Sequence, residues 1–505
     1  MDMSLFIPLM VIVPLTCAIF LNLIHGFDKL TKLVSVIVAI ALPIMPLCAA
    51  YGFHYFGGYQ PIATNNLGAI IPNLTAQLAA FHPAITYAFG QGQQVLIFLL
   101  GIVGMSAVFT SIVETKKVSG VYLYLLFMLT AAMSALILTD DIFNLYVFFE
   151  IAALVQVGIV LVSRIKNNYE TALKYMILGG IAGPFLLLGI AFLLGITGNV
   201  NITDIVTVLH SNLNNMLNPV IYLSCAMIIF GWLYASGLPP FNAIKSDVYS
   251  KGLPNGAMLL QSFSVVSCIA IGMVILRIFG ILELSRTVIL AISVIAMILG
   301  ICMAMVQTDF KRVIAYLAVG ELGYIGVGIG LGTIYSLTAG LFQAANELII
   351  TSFLFIGFGT ILYKTKTSDI KKLGGLLPKM PFAGLLVILA GFAMSGVPPF
   401  NAFQSKFMLC QAALTQGIPE LAVLMIILSI VTFLAFLKIF YMVFLRPMPD
   451  DLEIVENKVP KTTIGVMVLF LIICLAVGIA PDLIVGRLGA LATHVLATTP
   501  LIPFL

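Results

Sequence analysis

Residues Ser236–Ala243 read SGLPPFNA and residues Ser395–Ala402 read SGVPPFNA, and each copy interrupts a long apolar stretch. A proline removes a backbone donor and clashes with the preceding helical turn, so a Pro-Pro pair ends a helix. Broken backbone at membrane depth survives only where it is buried in protein or lines a wet cavity. Two such breaks at matching places in one chain therefore point to an ion or substrate path built on an internal repeat.

The stretches around the breaks place the chain in a membrane. Of 505 residues, 61% are hydrophobic and 9% charged, against about 25% charged in a soluble domain. The first apolar run, Leu5–Ile24, has neither a basic leader nor a small-residue cleavage site, and reads as a permanent span. The seven Cys are scattered without a C-x-x-C pair and behave as small hydrophobes. The five His (His25, His54, His82, His210, His494) lie near predicted span ends, so no metal site is expected. No Walker A string, dinucleotide fingerprint or haem-type His pair occurs, so no cofactor and no redox or phosphate chemistry is expected in this chain.

At about 20 apolar residues per crossing, the chain holds about fourteen spans, near 5–24, 33–56, 93–113, 120–139, 141–163, 170–196, 217–238, 256–280, 285–307, 312–332, 337–363, 382–397, 420–446 and 463–486. The seventh and twelfth continue past their breaks as half-helices. The expected class is all-α and polytopic: N-terminal spans in 1–119, five-helix repeats in 120–281 and 282–446, and a C-terminal span and tail in 447–505. The longest loop, 57–92, could form a short hairpin or an interfacial helix. Lys and Arg fall almost wholly in alternate loops, while loops 57–92, 197–216, 333–336 and 415–419 contain none. The positive-inside rule then places both termini outside. Because five spans is an odd number, the two repeats are expected to run in opposite directions through the bilayer.

Several charges stand where a bilayer disfavours them. Glu150 follows Asp140-Asp141 by ten residues, about 15 Å of helix and half the hydrocarbon thickness. Glu321 stands ten residues after Lys311, and Glu347 lies deep in its span. Lys245 and Asp247 follow the first break; Lys406 follows the second. Each mid-membrane charge costs about 2.5–3.5 kcal/mol on insertion scales, so such groups face one another or water. A row of them can pass a proton. The plainer alternatives are a structural hydrogen-bond role for a single Glu, snorkelling of Lys174 to the headgroups, and a solvated Lys245–Asp247 loop pair.

The segments DIFNLYVFFE (Asp141–Glu150), Ala172-Leu-Lys174-Tyr175, DFKRVIAY (Asp309–Tyr316) with Gly323-Tyr324, Leu373-Gly-Gly-Leu before Met380-Pro381, and PPFNAFQSK (Pro398–Lys406) resemble the antiporter-like subunits of the complex I superfamily. That superfamily includes respiratory complex I, Mrp-type cation/proton antiporters and energy-converting NiFe hydrogenases. The resemblance runs from about residue 120 to 415, and its first segment is most similar to the Mrp and hydrogenase branch. It implies that Glu150 gates a first half-channel and that Lys406 is the lysine of a second. It also implies proton conduction or a part in Na⁺/H⁺ exchange, driven by electron transfer in other subunits. The chain departs from the family pattern at several points. Ala235 and Ile269 stand where lysines are usual, Glu321, Glu347 and Gln343 where His is usual, and Thr351 where another Lys is usual. Ile244-Lys245-Ser246-Asp247 replaces Trp-Leu-Pro-Asp. Either Lys245 takes over the missing lysine's role, or the first half-channel is disabled or altered. A carboxylate-rich path would also suit Na⁺, since hard cations prefer oxygen ligands.

The expected function is an ion-translocating, non-redox membrane subunit of a multi-subunit complex, without nucleic-acid partners. Its companions would be the lipid bilayer, other membrane subunits in the cytoplasmic membrane and, through them, a peripheral redox arm. The expected path comprises Glu150, Lys174, Lys245, Asp247, Glu321, Glu347 and Lys406, with the helix breaks at Pro239, Pro240, Pro398 and Pro399. The alternatives are an Mrp-type antiporter subunit, a self-standing solute transporter and a scaffold whose path has decayed.

Overall fold

The computed structural model describes residues 6–23, 28–56, 62–63, 86–114, 120–163, 168–211, 218–450, 452, 454 and 459–497. Most of the 57–92 loop lies outside them, as do His25, His82, Lys116, Lys117, Arg164, Lys166 and Lys458. What is described of that loop includes a two-residue antiparallel pairing, Ile62 with Tyr87 and Ala63 with Thr86.

The chain is a polytopic all-α membrane protein. Its helices are α1 (Phe6–Leu23), α2 (Asp28–Phe56), α3 (Gln91–Glu114), α4 (Gly120–Leu138), α5 (Ile142–Val162), α6 (Asn168–Thr197), α7 (Ile202–His210), α8 (Pro219–Ser236) and α9 (Asn242–Lys251). They continue with α10 (Pro254–Phe279), α11 (Glu283–Val306), α12 (Phe310–Gly330), α13 (Ile334–Thr365), α14 (Pro381–Ser395), α15 (Asn401–Thr415), α16 (Pro419–Phe440), α17 (Lys461–Ile479) and α18 (Asp482–Ala497). Among the described residues, 12 helices are long and apolar enough to cross a bilayer, and α1 and α14 are shorter apolar helices. The last apolar stretch ends at Ile479 rather than near 486, because Pro481 cannot continue the helix. The tail beyond it folds as α18 and packs against α3 and α13.

Burial sorts the helices into layers. Almost every residue of α10, α12 and α13 is buried, whereas α6, α11 and α16 bury only about a third of theirs. The first three form the centre of the bundle, and the others present Leu, Ile and Phe outward, as a lipid-facing wall requires. Lipid supplies no hydrophobic drive between helices, so close packing depends on small residues. On α11, a Cβ at Gly300 would stand 2.4 Å from the backbone nitrogen of Gly320 on α12. That approach leaves no room for a side chain at position 300.

Both breaks are built alike. Gly237 (φ 76°) and Gly396 (φ 74°) adopt the left-handed conformation that glycine allows at a helix C-terminus. The N–H of Leu238 bonds the Leu233 carbonyl at 3.0 Å, and that of Val397 bonds the Phe392 carbonyl at 3.1 Å. These are the bonds of a Schellman cap. The Pro239-Pro240 and Pro398-Pro399 bonds are both cis, and α9 and α15 start immediately beyond. A second shared device lies two membrane spans earlier in each half. Asp141 caps α5 and pairs in a β-bridge with Asn201, while Asp309 caps α12 and pairs in the same way with Asp369.

Candidate functional site

In the second half, the broken helix brings a buried ion pair together. Lys406 lies in the second turn of α15, and its stem passes over Gly396, where a Cβ would stand 3.3 Å from its Cδ. Its Nζ donates to Glu321 Oε1 of α12 at 2.7 Å and to the Met394 carbonyl at 3.0 Å. Met394 belongs to the last turn of α14, whose carbonyls lack helical partners and favour a cation. The Tyr324 ring centroid lies 4.8 Å from the ammonium. Gln343 of α13 donates to Glu321 Oε2 at 2.8 Å and accepts from Ser405 at 2.6 Å. Asn346 binds Ser405 and the Asn401 carbonyl, and the Asn401 amide returns a bond to Asn346. Glu321 is 1% exposed and Lys406 6%. A pair buried this deeply loses about as much in desolvation as it gains in attraction, so stability alone does not account for it.

Glu347, one turn beyond Gln343 on α13, is buried and bonded to Thr351. It lies within electrostatic reach of both Glu321 and Lys406. Gln261 of α10 faces it, with both amide atoms buried. One turn along α10, Ser264 meets Tyr249 of α9 at 2.5 Å. Buried amide atoms in this position mark a polar seam between the halves.

The first half is built differently. In the register of the repeated octapeptide, Lys406 corresponds to Asp247 and Gln404 to Lys245. Yet it is Lys245 that points inward, at 0% exposure, while Asp247 lies at the surface and pairs with Arg312 at 2.7 Å. The two half-helices leave their breaks differently: Phe241 has ψ 0° and Phe400 ψ 158°, so α9 starts with a different rotation from α15. Lys245 packs its stem on Gly237 and donates to Tyr175 Oη at 2.9 Å and Gln156 Oε1 at 3.3 Å. The rings of Tyr175, Tyr234 and Phe263 surround the ammonium, with centroids at 4.9, 5.9 and 5.1 Å. None of the ion pairs among the described residues involves Lys245. Glu150 presses its carboxylate onto the bare backbone of Gly183 on α6, and its Oε1 is buried without a partner. Ala235 and Ile269 are buried in apolar surroundings. Lys174 points out of the bundle and pairs with Glu170 on its own helix, well exposed.

The structure thus joins Glu321 and Lys406 in one network and sets Glu347 within electrostatic reach of both. It sets Lys245 in an aromatic pocket of its own, and leaves Lys174 and Asp247 outside. The polar residues that sequence reasoning did not place in the path are Gln156, Tyr175, Tyr234, Gln261, Ser264, Asn346, Asn401 and Ser405. Two of them carried a readable signal: Asn401 and Ser405 recur as Asn242 and Ser246 after the first break.

A second titratable cluster lies beyond the seam. Asp140, between α4 and α5, receives Arg277 of α10 at 2.7 Å, and Thr203 bridges the two. Beside them is a cavity of about 40 Å³ lined by Gln93, Asp140, Arg277 and His494 among others. Burial, with the nearby Arg277 guanidinium, holds the His494 imidazole below its ordinary value. Burial raises the Asp141 carboxyl, opposed by the Asn144 and Phe143 N–H groups it accepts from.

Comparison with known proteins agrees with this architecture. The family described as NADH:quinone oxidoreductase/Mrp antiporter, TM matches residues 139–433. The uncharacterized protein MJ1309 of Methanocaldococcus jannaschii is 37% identical over 488 residues, 96% of this chain and 97% of that one. Two solved structures share the fold. A chain of the Mrp complex from Dietzia sp. DQ12-45-1b aligns with TM-score 0.88 and 20% identity, covering 99% of this chain and 98% of its own length. A chain of the membrane-bound sulfane sulfur reductase, an archaeal respiratory membrane complex, aligns with TM-score 0.84 and 24% identity, covering 97% and 99%.

Proposed function

This chain belongs to the NADH:quinone oxidoreductase/Mrp antiporter family, and from that premise we propose that it is an ion-translocating subunit of a multi-subunit complex in the cell membrane. The buried Glu321–Lys406 pair beside a broken helix carries the reading. A membrane protein keeps such a pair where its making and breaking does work, since apolar residues would be as stable. Lys406 and Glu321 exchange a proton in the second half, Glu347 and Gln261 link it toward the first, and Glu150 and Lys245 are the carriers there. Lys174 is assigned to the surface and Asp247 to the anchoring of α9 on α12 through Arg312.

The two five-helix units, 120–281 and 282–446, run in opposite directions, with both termini outside, as an odd span number per unit and the loop charge bias suggest; the paired Schellman caps and the paired Asp141 and Asp309 caps support the repeat. The driving partner is either a redox arm, as the respiratory complex among the structural relatives suggests, or a cation gradient, as the Mrp complex suggests. The test uses the assembled complex in sealed vesicles, with Glu150→Gln and Lys406→Ala. Each substitution is expected to reduce ion movement by about 10²-fold, the scale of losing a positioned proton carrier. Undiminished translocation in both would overturn the assignment.

A further inference from the structure

We propose that the Tyr175 hydroxyl is the proton relay of the first half, passing protons between Lys245 and Glu150 where the chain has no central lysine. The inference rests on reading Lys245 and Glu150 as carriers and names the group that connects them.

Four observations support it. Lys245 has two polar partners, Tyr175 Oη at 2.9 Å and Gln156 Oε1 at 3.3 Å. Of these only a phenol can accept a proton on its oxygen while releasing its own; an amide oxygen has no proton to pass on. Tyr175 is held for the task. Tyr234 stacks on it with ring centroids 5.2 Å apart and donates its hydroxyl to the Tyr175 carbonyl at 2.8 Å. Glycines on α6 bring the carboxylate close to Tyr234, the residue stacked on Tyr175. Tyr234 Oη lies over Gly179 and Glu150 Oε1 over Gly183, two positions one turn, about 6 Å, apart. Finally, Glu150 Oε1 is buried and unpartnered, so the relay assigns it a water molecule as donor.

The step balances without any further reactant. The Lys245 ammonium gives one proton to the Tyr175 oxygen. Tyr175 releases its own hydroxyl proton through the water to the Glu150 carboxylate. Lysine ends neutral, glutamate ends as the acid, and the phenol is neutral before and after. Tyr234 is a positioning residue: it orients Tyr175 and takes no proton.

The experiment compares three forms of the assembled complex in vesicles: Tyr175→Phe, a ring-difluorinated tyrosine at 175, and Lys245→Ala. Phenylalanine keeps the ring stack and removes the hydroxyl; translocation is expected to fall about 10²-fold. The fluorinated ring keeps shape and hydroxyl but makes the phenol more acidic, and the pH profile of translocation is expected to move to lower pH. An unchanged pH profile with the fluorinated residue would overturn the relay even if Tyr175→Phe fails to assemble. A fully active Tyr175→Phe beside an inactive Lys245→Ala would also overturn it, and would leave the lysine's role standing. A fully active Lys245→Ala removes the carrier reading itself.

Discussion

A single methyl group placed at Gly183 tests whether the position of the Glu150 carboxylate matters, apart from its charge. A Cβ built there stands 1.7 Å from Glu150 Oε1 and 2.9 Å from its Cδ. Ordinary contact begins at 3.4 Å, so the oxygen must retreat by about 1.7 Å. The atom that yields is the tip of a flexible side chain, so α5 and α6 need not separate. Alanine also favours a helix interior over glycine by about 1 kcal/mol, which offsets the rotamer change. Gly183→Ala should therefore assemble and melt like the parent. A displacement of 1 Å in a proton-transfer site can cost about 10²-fold, and a loss of that order is expected in vesicle translocation. Gly180→Ala is the control: it lies on the same helix with nothing within 4 Å of its Cβ, and should translocate normally. Full activity in Gly183→Ala would refute the idea that the carboxylate works from the place the structure gives it. Loss in both variants would show that α6 tolerates no added methyl, and would refute the positional argument equally.

Two further outcomes follow from the other charges. Asp140→Asn leaves Arg277 buried without its carboxylate and is expected to cost about 3–5 kcal/mol in detergent unfolding. Asp247→Asn removes a partner from a half-exposed pair and should cost about 1 kcal/mol or less; equal losses would contradict the burial argument. At His494, burial and Arg277 hold the folded imidazole below 6.5, its ordinary value, with Asp140 opposing them. The unfolded chain then binds more protons below that value, so the contribution is complete above pH 6.5 and is lost as pH falls. His494→Gln should abolish this acid-side loss in melting temperature, and an unaltered pH profile in the variant would count against it.

The chain's class, its breaks and most of its charged positions were legible because they are local. Twenty apolar residues in a row, a Pro-Pro pair after a glycine, and a glutamate ten residues into a span each state a cost that only a polytopic bundle with a polar interior can meet. That mid-membrane charges face one another or water was legible as well; which of them pair was not. In the second half the pair is Glu321 and Lys406.

The first half shows where linear reading stops. Lys245 and Asp247 stand two residues apart, and period and charge alone give either of them equal claim to the interior. The rotation of α9 decides between them. That rotation is set by the backbone at Phe241 and by the packing of the lysine stem over Gly237. The aromatic pocket is likewise assembled from α6, α8 and α10, residues separated by some 90 positions in the chain. No spacing rule links them, since a tyrosine in an apolar helix reads the same whether it faces lipid, a leucine or an ammonium ion. The sequence by itself determined that charges must lie inside a membrane bundle with two broken helices. Which of them meet one another, and which meet only aromatic rings or solvent, was decided by helix rotation and close packing at glycine. Those arise from contacts between distant segments and exist only once the bundle has formed.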